Sequence, residues 1–155
     1  MIDELSSKGN AQAIRFPRPL IHRDGYDFSF SGLKTAVKYE LASLKTRGES
    51  VNVADLAASF QQAVVDVLVK KVTQAAADAH VSQISVTGGV AANRQLRAEL
   101  ESAAARHGIA VYFPPLSLCT DNGAMVACLA YHMLQRGETS GLDLEAYANA
   151  PLPRV

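Results

Sequence analysis

The chain has 155 residues, 48% of them hydrophobic, which suffices for one core of ordinary size and makes two independent domains implausibly small. Fifteen basic and fifteen acidic side chains balance to a formal net charge of zero, so any contact with RNA has to come from a local patch or a partner. Two cysteines, Cys119 and Cys128, exclude a disulfide framework and a cysteine-only zinc site, and the sequence has no apolar leader or membrane-length apolar run, so it predicts a cytoplasmic protein with no membrane segment.

From Ser7 to Phe30 the chain is rich in Gly, Pro, Arg and Asp, and Phe16-Pro17-Arg18-Pro19 forbids helix and central strand, so this is an ordered loop or a linker. Ser31 opens a helix in which Leu33, Val37, Leu41 and Leu44 recur at helical steps, with Gly48 as its C-terminal cap and one face buried. Asn52 reads as the N-cap of the longest helix, with Asp55 in its first turn and a stripe of Leu56, Phe60, Val64, Leu68 and Val72 running to about Ala79.

A strand is predicted from Gln83 to Thr87, a helix from Ala91 to Arg106 with Leu96 and Leu100 inward and Gly108 beyond it, and a second strand from Ala110 to Phe113. The last helix runs from about Asn122 to Gln135, with Asp121 at its N-cap position and Thr120 and Asn122 as alternative caps. Little periodicity remains from Glu138 to Val155. This order implies an α/β fold with a right-handed crossover and two parallel strands. Two such strands leave edges unpaired, so further strands are expected from a partner chain or a longer polypeptide.

The stretch Thr87-Gly88-Gly89-Val90-Ala91-Ala92-Asn93 is a strand-to-helix turn at which backbone can approach a nucleotide, although it lacks the full GxGxxG and GK[ST] patterns. Asn93, expected in the first helical turn, carries an amide able to donate and accept, and a plain tight turn stands beside a ligand site as its explanation. Asp121 offers a carboxylate as an N-cap or as one metal ligand, and the two roles can coexist on its two oxygens. It and Asn93 begin successive helices after successive strands, which places both at one edge of the sheet.

His22, His80, His107 and His132 form no HxxxH or HExxH pair, and Ser29, Ser31 and Ser59 lie in no G-x-S-x-G elbow, so no catalytic residue is assigned. Arg15, Arg18, Arg23, Lys34 and Lys38, interleaved with Tyr26, Phe28 and Phe30, form either a local RNA-facing patch or a solvated loop pinned by aromatics.

Taken together, Phe28-Ser29-Phe30-Ser31-Gly32-Leu33-Lys34-Thr35, the Thr87–Asn93 turn, Cys119-Thr120-Asp121-Asn122-Gly123-Ala124-Met125 and Phe16-Pro17-Arg18-Pro19 resemble the C-terminal half of the TsaD family. These tRNA N6-adenosine threonylcarbamoyltransferases were formerly labelled O-sialoglycoprotein endopeptidases. The resemblance implies a helix-rich partial lobe of an actin-like (ASKHA) ATPase fold with a short parallel β-α-β-α unit. Residues 1–155 would be a single partial domain, the end of the second lobe, with the N-terminal lobe absent.

It further implies transfer of threonylcarbamoyl from threonylcarbamoyl-AMP to N6 of the adenosine adjacent to the anticodon, with Asn93, Gly88 and Gly89 contacting the nucleotide. Asp121 would be one ligand of Fe2+ or Zn2+. The implied partners are tRNA, the missing N-terminal half of the same enzyme, and proteins of the TsaB and TsaE type.

The family's HxxxH metal motif, its Ser-Gly-Gly loop and the rest of its adenylate pocket lie in segments this chain does not contain, so alone it is expected neither to hold metal tightly nor to transfer threonylcarbamoyl. Two alternatives stand beside this: a fragment of another actin-like ATPase or kinase, disfavoured by Ser31-Gly32-Leu33-Lys34-Thr35, and an interaction module docking on a homologous subunit.

Overall fold

Asn52 and the glycine-free run behind it set the longest helix. The Asn52 side chain accepts hydrogen bonds from the amides of Ala54 (3.1 Å) and Asp55 (3.2 Å), and α3 (Val53–Asp78) follows, about 39 Å long at 1.5 Å per residue. The computed structural model describes residues 2–145, which divide between 120 and 121 into two compact units. In the first, α3 is accompanied by α1 (Ile2–Ser6), α2 (Ser31–Arg47), β1 (Gln83–Ser85), α4 (Arg94–Ala105) and β2 (Ala110–Tyr112). Within the second lies α5 (Gly123–Gln135). The short α1 is not foreshadowed by any apolar period.

Residues 7–30 form no helix or strand, yet they are an ordered loop stitched along α3. The Asn10 amide donates to Asp55 Oδ1 (2.7 Å), while the Ser59 hydroxyl donates to the Asn10 carbonyl (3.2 Å) and accepts from the Ile14 amide (3.1 Å). Farther along, the buried Lys71 ammonium donates to the carbonyls of Arg23 (2.6 Å) and Gly25 (2.7 Å). These are charge-assisted bonds, which satisfy a buried cation with loop backbone. At the far end the Tyr26 hydroxyl donates to Asp78 (3.1 Å), a bond that holds the proton and raises the phenol above its usual range.

The stripe Leu56, Phe60, Val64, Leu68 and Val72 is only half-buried, although Leu56, Phe60 and Val64 pack against the Phe16, Leu33 and Ala63 cluster. Packed by the loop, α2 and α4, α3 instead buries Ala58, Ser59, Ala63, Val65 and Val67, small side chains that permit close approach on several sides. Phe16, Leu33 and Ala63 form one core cluster, so α2 buries its beginning, whereas Leu41 farther along is 37% exposed.

β1 and β2 pair in parallel with Ile84 opposite Val111, and both side chains pack on Ala76, Ala104 and Ile109. This is a two-stranded sheet among the described residues, and the α/β class and parallel pairing agree with the sequence expectation. The predicted helix over 91–106 divides: a single 3₁₀ turn occupies Gly89–Ala92, and α4 starts only after Asn93.

In the second unit Asn122, not Asp121, caps α5, its side chain accepting from the Met125 amide (3.1 Å). No residue of α5 is buried. Residues 138–145 have no helix or strand, and the remainder of the predicted tail lies outside the described residues. No helix among the described residues is long and apolar enough to cross a membrane.

The loop's entry depends on Gly9, where an added Cβ would lie 2.0 Å from the Ala54 carbonyl oxygen. Gly9→Ala is therefore expected to lower unfolding free energy by about 1–3 kcal/mol in chemical denaturation. Unchanged stability would show that the loop does not seat on α3 in this way.

Candidate functional site

The turn after β1 divides its work between two glycines. Gly88 has φ 88° and ψ 173°, a conformation open essentially to glycine alone, and its carbonyl accepts from the Ala91 amide (2.9 Å) to start the 3₁₀ turn. Gly89 does not take a positive φ. What distinguishes it is space, because an added Cβ there would meet nothing within 4 Å.

Asn93 is the N-cap of α4 rather than a residue of its first turn, since the 3₁₀ turn consumes the residues before it and leaves Asn93 extended (φ −69°, ψ 122°). Its Oδ1 accepts from the Leu96 amide (2.8 Å), and its Nδ2 donates to Gln61 Oε1 (2.8 Å). Asn93 thus has a capping role, and among the described residues its second amide hydrogen and second Oδ1 lone pair take no further partner.

The bond to Gln61 opens a relay across the α3–α4 contact. Gln61 Nε2 donates to Gln95 Oε1 (2.8 Å), Gln95 Nε2 donates to Gln62 Oε1 and Glu99 Oε1 (2.7 Å), and Gln62 Nε2 donates to Asp66 (2.8 Å) and Glu99 (3.1 Å). Arg18 closes the far end on Asp66 at 2.8 Å. A backbone N–H at one end can only donate and ionised carboxylates at the other can only accept, so the polarity of every amide between them is fixed. Among the described residues no buried side-chain nitrogen or oxygen lacks a partner.

Gly89 and Asn93 line a groove of about 460 Å³ whose opposite wall is Phe60, Val64 and Leu68 of α3. The middle of the half-buried stripe is therefore one wall of a concave, largely apolar groove of small-molecule size with a few oriented polar groups. Arg94 beside it pairs with Asp3 of α1 (2.8 Å), which brings Ile2 and Asp3 to the groove's rim.

Arg97, with no signal in the sequence, joins the glycine turn to the loop after β2. Its guanidinium donates to the carbonyls of Ala91 and Pro114 (2.8 Å) and to the buried Cys119 sulfur (3.2 Å), and it lies 4.7 Å from the centroid of the Phe113 ring. Gln61, Gln62, Gln95 and Glu99 were likewise not singled out by spacing, because polar residues on helices ordinarily read as solvated.

Asp121 is exposed at the start of the second unit, and the capping of α5 by Asn122 leaves that predicted role unfilled by Asp121. Among the described residues no three His, Cys, Asp or Glu side chains gather as a metal-binding group. A lone carboxylate does not make the three-ligand set that a catalytic zinc site needs, so the residues described here do not by themselves fit a metal.

Among known proteins, a family model described as TsaD, tRNA N6-adenosine threonylcarbamoyltransferase, matches residues 1–128. Proteins named tRNA N6-adenosine threonylcarbamoyltransferase are similar to the chain in Picosynechococcus sp. (47% identical, over 100% of this chain and 45% of that protein), Clostridioides difficile (46%, over 96% and 44%) and Moorella thermoacetica (47%, over 97% and 44%). The chain thus spans somewhat less than half the length of these relatives.

The relay makes a demand that capping alone does not. Aspartate caps helices as well as asparagine, yet Asn93→Asp would set a carboxylate against Gln61 Oε1 in a place where Gln61 is 5% exposed. Turning Gln61 over only moves the mismatch toward Asp66 and Glu99. Asn93→Asp is expected to cost about 1–3 kcal/mol in equilibrium unfolding; a cost near zero would mean that Asn93 acts as a cap only.

Proposed function

This chain belongs to the TsaD family of tRNA N6-adenosine threonylcarbamoyltransferases, and from that premise we propose that it forms the nucleotide-contacting wall of such an enzyme. The whole enzyme would transfer threonylcarbamoyl from threonylcarbamoyl-AMP to N6 of the adenosine beside the tRNA anticodon. The new N–C bond forms at the carbamoyl carbonyl as the C–O bond to phosphate breaks and AMP leaves.

In that site Gly88 and Gly89 would admit the adenylate close to backbone, and Asn93 would spend its uncommitted amide hydrogen and lone pair on it. The observation that carries this assignment is the combination of open space at Gly89 with an Asn93 amide whose orientation is fixed by Leu96 and Gln61. Preorganised polar groups beside an apolar wall bind without an ordering cost at the moment of contact.

Asp121 would supply one ligand to the family's metal, iron or zinc, whose remaining ligands lie outside this chain. The half-open stripe of α3 and the free edge of β1 are where the rest of the fold would dock. The enzyme would work in the cytoplasm on tRNA, with partners of the TsaB and TsaE type, and the 155-residue chain alone would not transfer threonylcarbamoyl.

Titration of the chain with AMP is expected to move the backbone amide resonances of Gly88 and Gly89 and the side-chain amide of Asn93. Gly89→Val, which fills open space, should leave the melting temperature within about 1 °C while weakening AMP at least tenfold. AMP responses confined to other residues, or wild-type affinity in Gly89→Val, would contradict the assignment.

A further inference from the structure

A second groove, sharing no lining residue with that of Asn93, runs where the proline-rich loop crosses α3 and α4. It holds about 530 Å³, and Arg18, His22, Lys70, Arg106 and His107 all line it. Its two carboxylates are already engaged: Asp66 accepts from Arg18 and Gln62, and Glu99 accepts from Gln62 and Gln95. Lys70 and Arg106 are exposed and, among the described residues, belong to no ion pair; Arg106 only donates to Ser102 Oγ (3.3 Å). In a protein of zero net charge the lining of this groove carries Arg18, Lys70 and Arg106 against Asp66 and Glu99, a formal excess of positive charge, with Lys70 and Arg106 in no ion pair among the described residues.

The walls are helical, and from Asp66 to Thr73 and from Glu99 to Arg106 each rises about 10 Å, enough for more than one phosphate of a nucleic acid strand. No Phe, Tyr or Trp lines the groove, so it offers no platform for stacking bases. Cations without aromatics contact the backbone and position it, and do not read sequence.

We propose that this groove binds the sugar–phosphate backbone of RNA, with Lys70 and Arg106 on phosphate oxygens and Arg18 held in place by Asp66. The proposal rests on the reading of the chain as part of a tRNA-modifying enzyme, which makes RNA rather than free phosphate the source of the anion. Of the basic residues weighed from sequence as a local RNA-facing patch or a solvated loop, Arg18 lines this groove, whereas Lys34 and Lys38 of α2 do not.

The test is the salt dependence of binding between the chain and a fluorescent anticodon stem-loop RNA, over about 50–200 mM KCl. Lys70→Ala and Arg106→Ala, both surface changes, should each reduce the slope of log K against log salt by about 0.7–0.9, and the double variant by their sum. Lys34→Ala and Lys38→Ala should keep the wild-type slope. No RNA binding by the wild-type chain, or a wild-type slope in the double variant, overturns the proposal. Inorganic phosphate that moves the His22 and His107 ring resonances, with RNA affinity independent of Lys70 and Arg106, assigns the groove to a free anion and overturns it equally. AMP binding at Gly89 is read without these residues, so the nucleotide wall and the groove can fail separately.

Discussion

The fixed polarity of one hydrogen-bond chain organises the face where α3 meets α4. Asn93 receives a backbone N–H from Leu96 and passes a hydrogen bond to Gln61, and the chain runs through Gln95 and Gln62 to the carboxylates of Glu99 and Asp66. Each link contributes on the order of 1 kcal/mol, but a break strands a buried amide, so the larger effect is to forbid every other arrangement. The same chain spans from one groove to another. One end places the Asn93 amide at an apolar groove, and the other ends on Asp66 and Glu99, which line the basic groove.

Helix ends were largely legible, because capping is local chemistry. Ser31 and Gly48 bound α2 and Asn52 caps α3, all as read from residue type and position. The failures were local as well. Gly88 launches a 3₁₀ turn that shifts α4 by three residues and converts Asn93 from a first-turn residue to a cap, and Asn122 wins over the neighbouring Asp121 at α5. Thr120, Asp121 and Asn122 are all competent caps by type, and residue type cannot rank them.

Tertiary relations were not legible. The stripe from Leu56 to Val72 has the right period for a core face, yet it is only half-buried: Leu56, Phe60 and Val64 back the Phe16, Leu33 and Ala63 cluster, while Phe60, Val64 and Leu68 also line a groove. Four polar side chains of the relay, Gln61, Gln62, Gln95 and Glu99, look like solvent-facing positions until α3 and α4 meet. Arg97 is similar: its partners Ala91, Pro114 and Cys119 come together only when both strand-to-loop junctions are folded. Family resemblance named Asn93 without any of this support, whereas the folded chain supplies the reason an asparagine there is held still.

The central claim is that the Asn93 amide is held in one orientation with a single hydrogen left for ligand. Proton exchange at its side-chain NH2, resolved for the two hydrogens by nuclear magnetic resonance, tests this most directly. The hydrogen facing Gln61 should be protected and insensitive to AMP, and the other should exchange freely and shift as AMP is added. Two hydrogens that exchange alike, or a protected hydrogen that AMP releases, would contradict the account.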